Sequence, residues 1–533
     1  MLHFYNELDI FGGMIHMNTN INNSIIYNVY PTSFYDSNGD GIGDLKGITE
    51  KLKYIRQFAD ILWINPVFTS PFRDGGYDVA DYYAIDERFG TVEDVEELTA
   101  KAHSLGMKVL FDLVVGHTSD EHPWFQASQK YERNEYSDYY IWSEDVWAEC
   151  EYKNISGNSE RDGNYLINFF CFQPALNFGF SEKKYAWQHH YLDEACCKVH
   201  EEVVKIIKFW MAKGIDGFRV DMAESIVKDD VEGRYSCEIW RKIFGKVRKE
   251  YPEAIFVSEW GQPKYAVKNG DYDIDFLTHC HDEGYTNLFR KEPGANVFSG
   301  DGHSFFRKDG QGDAKAFFDY FLDNLEQVKE KGYISVVTGN HDLPRIGFGR
   351  EAEDLKTVFA FILALPCVPL IYYGDEIGMK YEKIKNKDGG YCRTGSRTPM
   401  QWSDGKNAGF SNCDDELYLP VYESYKEINV QRQGQEEDSL LQEVKKLVEV
   451  KRTHPELFAC GNTFELVSAD YPLVFKRTSG EEVFLCAVNP SEREYVLDIK
   501  GGEVLAASNV LVEEDRVVMR GISYLWMKHI KTV

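Results

Sequence analysis

The chain has 533 residues, more than one hydrophobic core usually supports, so two or three domains are expected. Its net charge of −28 argues against nucleic acid or an anionic membrane as partner and suits a neutral substrate. The 11 cysteines are scattered without a C-x-x-C pair, and no apolar run approaches the roughly 18 residues of a membrane span, so a cytoplasmic protein with reduced thiols is expected.

Residues 1–23 are polar and Asn-rich after a short apolar start and lack the basic-then-apolar pattern of a signal peptide; Met14 and Met17 are alternative starts. Without such a signal, the acceptor triplet Asn154-Ile155-Ser156 is read as chance. A first strand is expected over 25–30. The stretch from Asp36 to Asp44 then places oxygen-bearing residues at alternate positions, with glycines that permit tight turning. That pattern suits a hard cation, with a metal-free Asp/Asn/Gly turn as the alternative. Gly47 at the twelfth position excludes an EF-hand, and the glycine spacing does not fit a dinucleotide fingerprint.

A helix over 48–58 leads to a strand over 61–64, and a helix over 92–105 to a strand over 108–114 that ends in Val115-Gly116-His117. About sixty aperiodic residues follow, to roughly Phe180; a segment that long inside a compact fold is usually functional. An amphipathic helix over 185–213 feeds the most informative stretch, Gly217-Phe218-Arg219-Val220-Asp221. There an apolar lead-in carries an arginine and an aspartate to a strand end, the way a barrel delivers side chains to its C-terminal rim. A helix over 238–249 precedes a fifth strand, 255–260, with Glu259 at its exit. An irregular sixth strand is expected within 272–277, a seventh over 333–338 ending in Asn340-His341-Asp342, and an eighth over 369–376. From about Gly461 the pattern turns to short alternating strands over 463–467, 473–477 and 482–488, an antiparallel sandwich.

Gly-Phe-Arg-x-Asp at 217–221 resembles the nucleophile strand of the α-amylase superfamily (glycoside hydrolase family thirteen). Gly76-Tyr77-Asp78, Gln173-Pro174-Ala175-Leu176-Asn177, Glu259, Asn340-His341-Asp342 and Arg397-Thr398-Pro399-Met400-Gln401-Trp402 extend the likeness to the oligo-1,6-glucosidase branch. The resemblance implies a (β/α)8 TIM barrel with an inserted domain B after strand three and a C-terminal antiparallel β-sandwich, domain C. Its divisions would be an extension at 1–23, the barrel at 24–116 and 181–458, domain B at 117–180 and domain C at 459–533.

It also implies roles. Asp221 is the nucleophile, Glu259 the general acid/base and Asp342 the third carboxylate; Arg219 keeps Asp221 ionised. Tyr77 stacks on the sugar, Asp78 bonds its hydroxyls, His117 and His341 bond the same ring, and Arg345 joins the substrate-binding set. Asp36, Asn38, Asp40, Asp44 and the Ile42 carbonyl hold one structural Ca²⁺, for which Mg²⁺ could substitute. Gly116 departs from the asparagine usual in the family, which argues against an inter-domain calcium at that point.

The expected activity is retaining hydrolysis of terminal α-glucosidic bonds in short oligosaccharides, by a monomer or weak homodimer. Sucrose- or trehalose-acting transferases and isomerases, and endo-acting α-amylases, share the triad and remain open. A catalytically dead transporter heavy chain and a metal-dependent barrel are the alternatives outside this chemistry. The intact triad and the lack of a membrane helix speak against the first, and the closed oxygen set of the 36–44 loop speaks against the second.

Overall fold

The computed structural model describes residues 17–278, 284–292, 301–389 and 393–530, so most of the expected N-terminal extension, Met14 included, lies outside the described residues. Eight short parallel strands form the central sheet: β1 (Ile26–Val29), β2 (Ile61–Ile64), β3 (Lys108–Leu113), β4 (Gly217–Val220), β5 (Ile255–Ser258), β6 (Ile274–Leu277), β7 (Tyr333–Val336) and β8 (Leu370–Tyr372). Neighbours in sequence are neighbours in the sheet, and β8 also pairs with β1. A parallel bridge from Val337 to Leu370, with Thr338 N–H on Leu370 O at 2.9 Å, joins β7 to β8 and closes the barrel. Nearly every strand residue is buried, because the inner face meets the other strands and the outer face meets helices.

Helices α1 (Leu45–Ile55), α2 (Val92–Ser104), α3 (Glu194–Met211), α4 (Arg234–Arg248), α5 (Pro263–Gly270), α6 (Lys315–Val328), α7 (Ala352–Ala364) and α8 (Leu440–Thr453) alternate with the strands. Asp44 caps α1 by accepting from Gly47 N–H, and Thr91 with Asp94 forms a capping box on α2. Helix α3 starts nine residues later than its periodicity suggests. Residues ahead of it are held as a turn, with His190 N–H on the Asp193 carboxylate and Tyr191 N–H on Phe180 O.

Between β3 and α3, the strands Asn154–Ser156 and Asn164–Leu166 pair as a small hairpin. The bridge from His117 to Ala175 ties this insertion back to the end of β3. After α8 come β9 (Thr463–Ser468), β10 (Leu473–Ser479), β11 (Glu482–Asn489), β12 (Tyr495–Leu497), β13 (Glu503–Val512) and β14 (Val517–Ile530). They form one six-stranded sheet, antiparallel throughout, with both faces apolar. Phe475, Phe484 and Trp526 join the barrel core, while Val474, Leu485, Met519, Leu525 and Met527 make a separate cluster. Arg477, wholly buried, donates to Ala364 O at 2.9 Å and to Leu365 O, satisfying carbonyls that the end of α7 leaves open.

Candidate active site

The C-terminal ends of the barrel strands open into a cleft of about 260 Å³ lined by Asp74, Tyr77, His117, Asp221, Glu259, His341, Asp342 and Arg393, among others. Its base is organised by Arg219, 2% exposed. Nη1 of this guanidinium bonds Asp112 at 2.5 Å and Asp221 at 2.9 Å, and Nη2 bonds Glu259 at 2.6 Å. Its face lies 5.2 Å from the Trp63 ring and 5.7 Å from that of Tyr77. One cation therefore serves three carboxylates from β3, β4 and the end of β5. Burial, opposed by Arg219 and reinforced by the Glu259 and Asp112 charges, pushes the Asp221 carboxyl well above the usual carboxylate range. Arg219 opposes that shift but does not outweigh the burial.

Met222 takes a left-handed backbone (φ 44°, ψ 43°) just after β4, and its N–H donates to Glu259 Oε2 at 3.0 Å. The Met222 side chain lines the cleft rather than the barrel wall, with its sulfur 3.7 Å from Asn168 Nδ2.

Asp342 is the other charged pole. His341 Nε2 lies 3.1 Å from its Oδ2, and Oδ1 meets Arg393 Nη1 at 2.8 Å and Arg397 Nη2 at 3.1 Å. Burial opposes ionisation here, but His341, Arg393 and Arg397 outweigh it and hold the carboxyl well below the ordinary range. Asn65 Nδ2 sits 3.2 Å from His341 Nδ1, which leaves the Nε2 proton for Asp342. The Tyr77 ring stacks on the His341 ring at 5.1 Å and 9°. Arg393 Nη2 bonds Asp74, which also accepts from Gln173 Nε2 at 2.7 Å; burial, against the pull of Arg393, raises Asp74 to about 6.

His117 reaches the cleft with both ring nitrogens engaged. Nε2 bonds Tyr77 O at 2.9 Å and Nδ1 meets Asn168 Nδ2 at 3.2 Å. Burial lowers its pKa to about 4, so the ring is neutral near pH 7. Asn168 also accepts from the half-buried Lys228 Nζ at 3.1 Å. A Cβ on Gly116 would lie 2.8 Å from Asn168 Nδ2, so the departure from the family's asparagine makes room for this side chain from the insertion.

Two expected substrate residues are elsewhere. Asp78 is wholly buried, and its carboxylate accepts from Ser70 Oγ, Arg73 N–H and Asp74 N–H. Asp74, four residues earlier, faces the cleft in its place. Arg345 is also wholly buried; it donates to Tyr373 O and packs against the Tyr372 and Tyr373 rings. The cleft arginine is Arg393, which sequence reasoning missed although it stands four residues before the Arg397 motif.

In the 36–44 loop, Asp36 accepts from the N–H groups of Asn38, Gly39 and Gly41 and from Ser411 Oγ. Asp40 accepts from Ile42 N–H, Asn38 Oδ1 from Asp40 N–H, and Asp44 from Ser37 and Gly47. Each of these oxygens already holds the loop by a hydrogen bond. Among the described residues, no group of three or more His, Cys, Asp or Glu side chains is gathered as a metal site.

An eight-stranded parallel barrel with three carboxylates, an arginine and two histidines at the exits of β3, β4, β5 and β7 defines an enzyme class that cleaves bonds between sugars. Residues 28–460 match the alpha-amylase catalytic domain, and the chain belongs to that family and is a glycosidase. It is 32% identical to an oligo-1,6-glucosidase of Parageobacillus thermoglucosidasius over 92% of this chain and 93% of that one. It is also 32% identical to a glucan 1,6-alpha-glucosidase of Streptococcus pneumoniae, over 92% and 94%. Among solved structures, the trehalose-6-phosphate hydrolase of Bacillus licheniformis superposes with a TM-score of 0.80 at 26% identity, covering 96% of this chain and 99% of that one.

Proposed function

We propose that the protein is a retaining α-glucosidase that removes terminal glucose from short α-gluco-oligosaccharides. The observation that carries this reading is Arg219, whose two terminal nitrogens hold Asp221 and Glu259 together. Retention needs a nucleophile and an acid/base roughly 5–5.5 Å apart, without room for a water between carboxylate and sugar. Asp221 attacks the anomeric carbon and forms a glycosyl-enzyme. Glu259 gives its proton to the leaving oxygen, then takes one from water. Asp342, kept ionised by its cationic neighbours, holds ring hydroxyls and offsets positive charge in the transition state. Tyr77 offers its ring to the sugar, and Asp74 with Arg393 forms a polar end that suits a terminal residue's hydroxyls.

The relatives' names include both 1,6-glucosidases and a maltase, so α-1,6 and α-1,4 bonds are both open to this site, and transfer to an acceptor sugar uses the same steps. One experiment separates these outcomes: NMR of the products from maltose, isomaltose, sucrose, trehalose and maltoheptaose. α-Glucose released first, one unit at a time from short substrates, is expected. β-Glucose as first product would refute retention, and rapid internal cleavage of maltoheptaose would refute terminal action.

A structural Ca²⁺ in the 36–44 loop rests on donor chemistry, carboxylate and amide oxygens at alternate positions. Both Asp36 oxygens and Asp44 Oδ1 each already accept two hydrogen bonds, so the ion would take the place of some of those donors. The ion would be held by Asp36, Asn38, Asp40, Asp44 and the Ile42 carbonyl and would steady the end of β1.

A further inference from the structure

Strand β6 sets a buried carboxylate behind the turn that carries Glu259. Asp275 is wholly buried and lies opposite Ser258 in the β5–β6 register. Its Oδ1 accepts from Ser258 Oγ at 2.6 Å, Trp260 N–H at 3.1 Å and Gly261 N–H at 3.3 Å. Those are the residue before Glu259 and the two after it. Glu259 N–H itself goes to Val220 O at 3.1 Å, and Tyr320 Oη donates to Gly261 O at 2.8 Å. Among the described residues no cation bonds the Asp275 carboxylate, and its Oδ2 has no hydrogen-bond partner. An apolar residue would fill a barrel wall at far lower cost than a carboxylate without a counter-ion. Its gain here is geometric: one oxygen gathers the three donors that flank Glu259 and adds their hold to those of Val220 and Tyr320. Burial raises the group to about 7 despite those donors.

We propose that Asp275 is a positioning residue that aims Glu259 at the leaving-group oxygen by pinning the turn over 258–261. The inference rests on Glu259 being the acid/base. In the first step the bond from the anomeric carbon to the leaving oxygen breaks, Asp221 bonds that carbon, and the Glu259 proton moves to the departing oxygen. A sugar leaving group needs that proton; fluoride departs without it. A misaimed acid therefore slows disaccharides selectively.

The test compares kcat/KM on maltose and on α-glucosyl fluoride for the wild type, D275N, D275V and E259Q, since kcat/KM reports the steps up to the glycosyl-enzyme. D275N keeps an Oδ1 acceptor and is expected to stay within about threefold of wild type on both substrates. D275V is expected to lose roughly 30- to 100-fold on maltose and less than about threefold on the fluoride, as a misplaced acid should. E259Q should show the same selectivity, larger. Equal losses of D275V on both substrates, or D275N as impaired as D275V, would overturn the positioning role. If E259Q shows no leaving-group dependence, the acid/base assignment fails instead. Should D275V not fold, D275A, which leaves space for water, is read by the same two ratios.

Discussion

Replacing Arg393 by lysine tests whether the cleft depends on a two-pronged cation. Nη1 of Arg393 bonds Asp342 and Nη2 bonds Asp74, and its side chain is 5% exposed. Lysine carries the same charge on a single Nζ, which cannot span both carboxylates. Asp342 keeps Arg397 and His341, so Asp74 is the partner left short, with Gln173 alone. A lost hydrogen bond to a charged group is worth about 1.5–3 kcal/mol, or roughly 10- to 150-fold in kcat/KM. The pH dependence has a defined sign. Asp74 sits at about 6, above its ordinary value, because burial outweighs Arg393. Its ionised form is present above that pH and lost as pH falls through it. Weakening the cation raises the pKa further, so the acid limb of R393K moves to higher pH and part of the loss returns by pH 8–9. The assay is kcat/KM on maltose and isomaltose from pH 5 to 9, with melting temperature as the folding control. A folded R393K within twofold of wild type at every pH would refute the reasoning.

Asp221→Asn and Glu259→Gln should each cut disaccharide turnover by several orders of magnitude while circular dichroism and melting stay near wild type; more than a few per cent of activity in D221N would sink the nucleophile assignment. Added Ca²⁺ should raise the melting temperature by binding the folded state, and D36A/D40A should abolish that response whatever the variant's baseline; an unchanged response removes the loop as the site. Met222→Val should raise the isomaltose-to-maltose ratio of kcat/KM by about 1–3 kcal/mol at most. It should also melt lower, because a β-branched residue is disfavoured at φ 44°; an unchanged ratio in folded protein leaves linkage to the loops. Gly116→Ala should cost about 1–3 kcal/mol in stability, read by urea denaturation, because the new Cβ meets Asn168 Nδ2 at 2.8 Å; an unchanged midpoint would show that Asn168 moves freely.

The sequence alone determined the barrel strands and their rim carboxylates. A short strand buried throughout and followed by a carboxylate is a local signal, carried by Gly217–Val220 with Arg219 inside it before Asp221 and by Ile255–Ser258 before Glu259; the likeness to the family then gave those carboxylates their roles. Orientation over short range was not legible. Asp74 and Asp78 are equally plausible four residues apart, but the turn through Gly75 and Gly76, at φ 59° and 96°, and the capping of Arg73 and Asp74 N–H by Asp78 send only Asp74 into the cleft. A Cβ at Gly76 would sit 3.0 Å from Pro66, so that turn admits no larger residue without displacement. Arg345 and Arg393 show the same limit at longer range. Arg345 packs below the rim against Tyr372 and Tyr373, whereas Arg393 returns to the cleft 48 residues further along the chain. Asp275 lies on the strand with the weakest pattern, and its partners come from β5 and the turn beyond it. Strand identity is set by neighbours in sequence. Which charge meets which is set by closure of the barrel, because only closure brings β4, β5, β6 and β7 to one rim and excludes the water that would otherwise let each charge stand alone.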